Sequence, residues 1–263
     1  MSTKWRERGD VRTADRAAEA LVDAVARLVR VTPAGWHAEY GNVVGLVGGS
    51  AVASLNAVTS SAVKPDLAAL DELASAVAAC GLPWSILVRE DAGDEVAVLA
   101  GRHGLAACSE VPLMVCAASD AVLRFDERQG VLVRRVDSSW SGAYTDALTA
   151  GFDVPEGTFG ALMGGSVLDA PGFAGYLADG PQGPVGTGLG VGGDEMIGVF
   201  NIAVDPRRRG HGLGRALTAR VLADGFAAGL GAAYLQPSAD GMSLYESMGF
   251  RVVETWTMFT ANA

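Results

Sequence analysis

Lysine is almost absent from this chain of 263 residues: Lys4 and Lys64 are the whole complement, although lysine and arginine together number 20. Imidazole is as scarce, with only His37, His103 and His211, and no H-E-x-x-H occurs. The cysteines are Cys80, Cys108 and Cys116. An odd number at spacings that fit no zinc motif argues against a metal site and predicts buried thiols in a reducing, cytoplasmic compartment. Excess basic charge is missing as well. The formal net charge is −10, which argues against a nucleic-acid partner, because cationic surface supplies most of that affinity. The opening Met1-Ser2-Thr3-Lys4-Trp5-Arg6-Glu7-Arg8 has no apolar run behind it and is no secretion signal. Residues 41–63 carry no charge, but Asn42, Ser50, Ser54, Asn56, Thr59, Ser60 and Ser61 interrupt them. A membrane span needs about 20 predominantly apolar residues, so this stretch reads instead as two buried strands around a Gly48-Gly49-Ser50 turn, and no membrane partner is expected.

What is present is apolar and periodic. Hydrophobic residues make up 49% and charged residues 19%, which describes a chain that buries a core. Ala17, Leu21, Val25 and Leu28 recur at helical spacing within residues 14–31, and Pro33 lies just beyond. Strands are expected at 43–47 and 52–58, a helix at 67–80, a strand at 84–88, a helix at 95–103 and a strand at 111–117. The plan then repeats. It runs through a strand at 131–136, a helix at 144–150, strands at 173–177, 185–191 and 197–204, a helix at 213–228, a strand at 233–236, a helix at 242–248 and a strand at 252–259. Gly81-Leu82 ahead of Trp84-Ser85-Ile86-Leu87 lies over Gly229-Leu230 ahead of Ala232-Ala233-Tyr234-Leu235. Leu99-Ala100 with Gly104-Leu105 lies over Leu244-Tyr245 with Gly249-Phe250. The reading favoured is an internal duplication; chance similarity between two α/β segments is the alternative.

The most informative stretch joins the strand ending at Val204 to the helix opening at Leu213: Arg207-Arg208-Arg209-Gly210-His211-Gly212-Leu213-Gly214-Arg215. Glycine lets a ligand approach the backbone and permits positive φ. The first N–H groups of a helix lack intrahelical partners and sit at its positive end. That combination binds phosphate or pyrophosphate. A Walker loop needs Gly-Lys-Ser/Thr, but arginine follows Gly214. A Rossmann turn fails because Arg215 stands where its third glycine is required. The formal G-x-G-x-x-G at Gly188, Gly190 and Gly193 runs into a strand rather than a helix, so it reads as a hairpin.

Arg209-Gly210-His211-Gly212-Leu213-Gly214 resembles the Arg/Gln-x-x-Gly-x-Gly/Ala signature of the GNAT superfamily of N-acetyltransferases. Leu244-Tyr245-Glu246-Ser247-Met248-Gly249-Phe250 resembles that family's downstream segment. The resemblance covers residues 184–259 and implies an α/β (α+β) fold of two GNAT-like domains, each a mixed, mostly antiparallel central sheet flanked by helices. The expected division is 1–128, degenerate and without a cradle, and 129–263, which binds acetyl-CoA. By resemblance, the backbone amides of Arg209, Gly210, His211, Gly212, Leu213, Gly214 and Arg215 hold the CoA pyrophosphate. The main chain of Ile202, Ala203 and Val204 pairs with the pantetheine arm, and Tyr245 protonates the departing thiolate. The implied function is acetyl transfer from acetyl-CoA to an acceptor amine by direct attack; the alternative is an acyl-CoA-binding sensor or scaffold without turnover. Many relatives place a glutamate where this chain has Gly198, so the general base is open. Ser238 stands where relatives often have an asparagine that contacts CoA.

In the first half, Ser61-Ala62-Val63-Lys64-Pro65-Asp66 lies opposite residues 209–214, and Ala100 lies opposite Tyr245. Proline removes an amide donor, and an aspartate caps the helix itself and repels phosphate. That half is expected to shape the acceptor groove or a homodimer surface.

Overall fold

The computed structural model describes residues 3–124 and 132–262, with side chains described from Arg12 onward. The chain divides into two compact units. One comprises the residues up to Arg30, Ala34–Val115 and Val252–Ala263; the other comprises Val31–Pro33 and Cys116–Arg251. The boundary expected at 128/129 lies outside the described residues, and so does Val131.

In the first unit the order is α1 (Thr3–Val31), β1 (Trp36–Tyr40), β2 (Val43–Val47), β3 (Asn56–Thr59), α2 (Leu67–Ala78), β4 (Ser85–Arg89), α3 (Gly93–Arg102) and β5 (Ala107–Ala117). The last strand of the chain, β11 (Arg251–Thr260), also packs here: its Trp256 to Thr260 run antiparallel to Arg89 to Ser85. The strand order is β1-β2-β3-β4-β11-β5, with β3 and β4 parallel. Leu70, Leu73 and Val77 of α2 pack with Val58, Ile86 and Phe259 into one buried cluster.

Several expectations shift. The helix α1 starts at Thr3 rather than Ala14; its charged first turns have no apolar period to betray them. β1 was not expected at all, since Trp36-His37-Ala38-Glu39-Tyr40 is half-exposed and mixes polar with aromatic residues. Ala53–Leu55 forms a short 3-10 turn, so β3 begins only at Asn56. Asn56 explains the break: its side-chain oxygen accepts from the amides of Gly48 and Gly49, and its amide donates to the carbonyls of Ser50 and Pro83. Cys80 and Cys108 are exposed and only Cys116 is buried, because the first follows the end of α2 and the second sits on the exposed start of β5.

The second unit contains β6 (Leu132–Val136), α4 (Ser141–Phe152), α5 (Gly160–Met163), β7 (Phe173–Gly180), β8 (Gly183–Gly192), β9 (Met196–Val204), α6 (Leu213–Ala227), β10 (Ala232–Leu235) and α7 (Met242–Glu246). Its strand order is β6-β7-β8-β9-β10, antiparallel except for β9 and β10. Each unit is thus a mixed, mostly antiparallel sheet flanked by helices. The glycines of β8 serve packing: a Cβ on Gly188 or Gly190 would stand 3.1 Å from Ile202 or Val221. They let α6 lie close on the sheet, which accounts for the formal G-x-G-x-x-G.

Internal equivalence extends to hydrogen bonding. The amides of His103 and Leu105 both donate to the Ala100 carbonyl, as those of Met248 and Phe250 donate to Tyr245. Gly104 and Gly249, at φ +77° and +96°, end the two short helices alike. Ala57 pairs with Ser85 as Ile197 pairs with Ala233.

Candidate active site

The parallel pairing of β9 with β10 ends at Gly198 opposite Tyr234, yet β9 runs on to Val204. Beyond that point no strand registers with this side of β9 among the described residues. The main chain of Ile202, Ala203 and Val204 lies in the splayed segment. On its other side, β9 is irregular. Leu189 pairs with Phe200 and Thr187 with Ala203, so Asn201 and Ile202 together oppose Gly188, and Asn201 adopts φ +52°. This is a β-bulge, which bends a strand and re-aims the residues that follow.

From Val204 the chain enters a 3-10 turn, Pro206–Arg208, capped by Asp205, whose side chain accepts the Arg207 amide. Gly210 and Gly212 follow at φ +78° and +76°, and α6 starts immediately after. Nothing in the protein lies within 4 Å of a Cβ built at either glycine, so the positive φ, not crowding, requires glycine here. Gly212 caps α6 without a side chain, and the first intrahelical bond is Ala216 to Gly212. The amides of Leu213, Gly214 and Arg215 therefore precede the helical ladder at its positive end.

The arginines divide their labour. Arg209 donates to the carbonyls of Gly151 (2.8 Å) and Val204 (3.3 Å). It braces the turn against the end of α4, where a cation also suits the helix dipole. Arg207 is paired with Asp205, and its neighbouring guanidinium holds that carboxyl below the usual range. Arg215 donates to the Ser247 hydroxyl, which donates to the Leu244 carbonyl, tying α6 to α7. Arg208 is exposed. His211 contacts the Arg209 carbonyl through Nδ1 at 2.9 Å.

Tyr245 is buried on α7, with its ring edge-on to Phe250 at 5.8 Å. Burial pushes its hydroxyl up to about 12, above the ordinary value of about 10 that its sequence context alone suggests. The direction keeps it a proton donor. At Gly198, a Cβ would collide with the Phe200 ring and stand 2.6 Å from the Tyr234 hydroxyl. These two aromatics, edge-on at 6.1 Å, fill the room a longer side chain would need. Asp194 and Glu195 are exposed in the β8–β9 turn, at the far end of β9 from the cradle.

The corresponding turn of the first unit is closed on itself. Asp66 accepts the amides of Ala68 and Ala69 at the start of α2. Its own amide donates to the Asn42 side chain, and the Ser60 hydroxyl donates to the Asn42 carbonyl. Both Asp66 and Gly212 immediately precede their helices, so Asp66 corresponds to Gly212 rather than to Gly214. Among the described residues, no group of three or more His, Cys, Asp or Glu could hold a metal ion, and no helix is long and apolar enough to cross a membrane.

Residues 171–252 match the family model described as "Acetyltransferase (GNAT) domain". The match takes in β7 to α7, with the cradle and Tyr245 inside it. Residues 171–252 are thus similar to a GNAT acetyltransferase domain. The fold of the chain is shared with a GCN5-related N-acetyltransferase from Kribbella flavida, which is 20% identical at a TM-score of 0.66, covering 95% of this chain and 96% of that one. A GCN5-related N-acetyltransferase from Sphaerobacter thermophilus is 16% identical at 0.58, covering 85% and 81%. A tandem GNAT protein from the clavulanic acid biosynthesis pathway is 10% identical at 0.55, covering 88% and 84%. No curated protein matches the chain significantly.

Sequence reasoning did not single out Thr187, Asn201 or Tyr144, which meet at the bulge. Only the register of β8 on β9 brings them together.

Proposed function

We propose that the second unit transfers an acetyl group from acetyl-CoA to an acceptor amine. One observation carries this reading: β9 leaves its parallel partner and leads, by two positive-φ glycines, into a helix whose first amides are uncapped. The amides of residues 209–215 would take the pyrophosphate, and the main chain of Ile202, Ala203 and Val204 would pair with the pantetheine arm. The amine nitrogen bonds to the thioester carbon while the carbon–sulfur bond breaks. Tyr245 gives its proton to the departing sulfur and regains one from solvent; the new amide releases its surplus proton to water. Backbone donors on β9 offset the negative charge that gathers on the carbonyl oxygen, which is where such donors act most strongly. Because β9 bears no carboxylate, the amine reacts as its neutral form or through a water relay.

Gly198 and its aromatic filling favour a second reading, an acyl-CoA-binding module without turnover. Both readings require the cradle. Saturating acetyl-CoA should raise the melting temperature, by the equivalent of about 2.7 kcal/mol at a hundred times Kd, and Gly212→Val should abolish the shift. An unshifted wild type at millimolar acetyl-CoA would sink both readings. A shift without thiol release across a broad amine panel selects the second. The first unit, with Asp66 at its helix start, is proposed to bind no CoA.

A further inference from the structure

Three buried or partly buried polar side chains meet at the irregularity in β9. Thr187, fully buried on β8, donates from its hydroxyl to the Asn201 carbonyl at 2.7 Å. The Asn201 side-chain amide reaches the Tyr144 hydroxyl at 3.4 Å and the Met163 sulfur at 3.6 Å. Tyr144, whose hydroxyl receives that amide, is fully buried on α4. The Asn201 amide donates to Tyr144, and Thr187 donates to the carbonyl of Asn201, so both ends of this one residue are held from neighbouring elements.

An ordinary strand needs none of this. Alternating apolar residues would hold β9 against α4 without burying hydroxyls that must each find a partner. These two bonds instead hold one residue, Asn201, in a left-handed conformation that asparagine tolerates and most residues resist. That residue stands between the last register with β10 and the cradle, where β9 changes which side chains it presents: Ile202 faces α6, whereas Ala203 faces α4 at Gly151.

We propose that Thr187, Asn201 and Tyr144 are positioning residues that hold the β9 bulge so that backbone donors of this strand meet the thioester carbonyl. The proposal rests on the acetyl-transfer reading and adds the residues that set its geometry. They touch the backbone rather than the substrate, so their loss should change the reacting group more than the grip on CoA.

The test uses the full chain and [1-13C]acetyl-CoA, with Kd from calorimetry, the bound carbonyl 13C resonance, and the rate of thiol release with hydroxylamine as the nucleophile. Thr187→Val and Tyr144→Phe should leave Kd within about threefold, return the carbonyl resonance towards its free position and slow thiol release by about tenfold to a hundredfold, the scale of a misplacement of about 1 Å. Thr187→Ser should restore both resonance and rate. Asn201→Gly, which keeps the positive φ but lacks the amide, should behave like Thr187→Val. An unchanged resonance and rate in the folded Thr187→Val and Tyr144→Phe variants overturns the proposal. So does a parallel loss of Kd, melting temperature and rate in Asn201→Gly and Thr187→Val that Thr187→Ser does not repair. A wild type that binds no acetyl-CoA fails at the earlier step and removes the functional reading itself.

Discussion

At the scale of single residues, Tyr245 and Arg209 make separable claims. Tyr245 is raised to about 12 by burial, so its neutral form is favoured in the folded protein beyond the ordinary value. Stability tied to this group is intact below about pH 10, and declines as pH rises from there through about 12. An acid with that value contributes no falling limb to a rate profile between pH 6 and 10. Tyr245→Phe should lower thiol release at least tenfold, about 1.4 kcal/mol in barrier, while leaving CoA affinity within threefold by calorimetry; an unchanged rate removes Tyr245 from the chemistry. Arg209 bonds carbonyls of the protein. Arg209→Ala should weaken acetyl-CoA binding by about tenfold, again about 1.4 kcal/mol, through a loosened turn. The salt dependence of Kd should change little, because the guanidinium that is lost is bonded to protein carbonyls rather than to the ligand's phosphates. A flattened salt dependence would show that the guanidinium meets a phosphate.

At the scale of elements, β11 carries the next prediction. Its Glu254 is buried against Arg89 of β4, with contacts of 2.6 and 2.8 Å. Arg89 also pairs with Asp15 of α1 and donates to the Ser61 carbonyl. Its carboxylate neighbours hold the guanidinium above its ordinary pKa. Removing Glu254 leaves the buried guanidinium with only the half-exposed Asp15 as counter-charge, so Glu254→Leu should destabilise the first unit by about 3 kcal/mol, the low end of the range for a broken buried pair. Glu254→Leu with Arg89→Met should recover much of that; denaturant unfolding of the two variants checks it. A smaller effect belongs to α2: Asp66→Ala removes a cap that holds two amides and should cost about 1 kcal/mol. It should create no acetyl-CoA site, since thirteen residues lead from Val199 to Gly212 and only seven from Thr59 to Asp66. The first unit lacks the length for a splayed strand and a cradle.

At the scale of the whole molecule, order along the chain and membership of a unit part company. Residues 252–263 follow the second unit in sequence but pack in the first. Ending the chain at Arg251 should therefore strip hydrogen-exchange protection from Ser85–Arg89, β11's antiparallel partner, more than from β7 and β8. Equal loss in both units, or loss confined to the second, would refute that assignment. The sequence alone would place the damage in the half that holds the cradle, because alternation in Val252 to Phe259 shows that a strand forms without naming its partner.

The sequence by itself determined the features that local chemistry fixes. Helical and strand periods marked most elements. Glycines between a strand and a helix marked the positive-φ turn ahead of α6, and Asp66 marked a side-chain cap in its place in the first half. The paired motifs singled out Tyr245, whose proposed role rests on them, and the repeated order of elements suggested the duplication. Only the tertiary structure decided where β11 belongs, how Gly198 is filled, and that Thr187, Asn201 and Tyr144 meet at one bulge. Those outcomes depend on register and on contacts between residues far apart in the chain. A one-residue irregularity in β9 reverses which side chains face a given helix, and no local pattern of residues records where it falls.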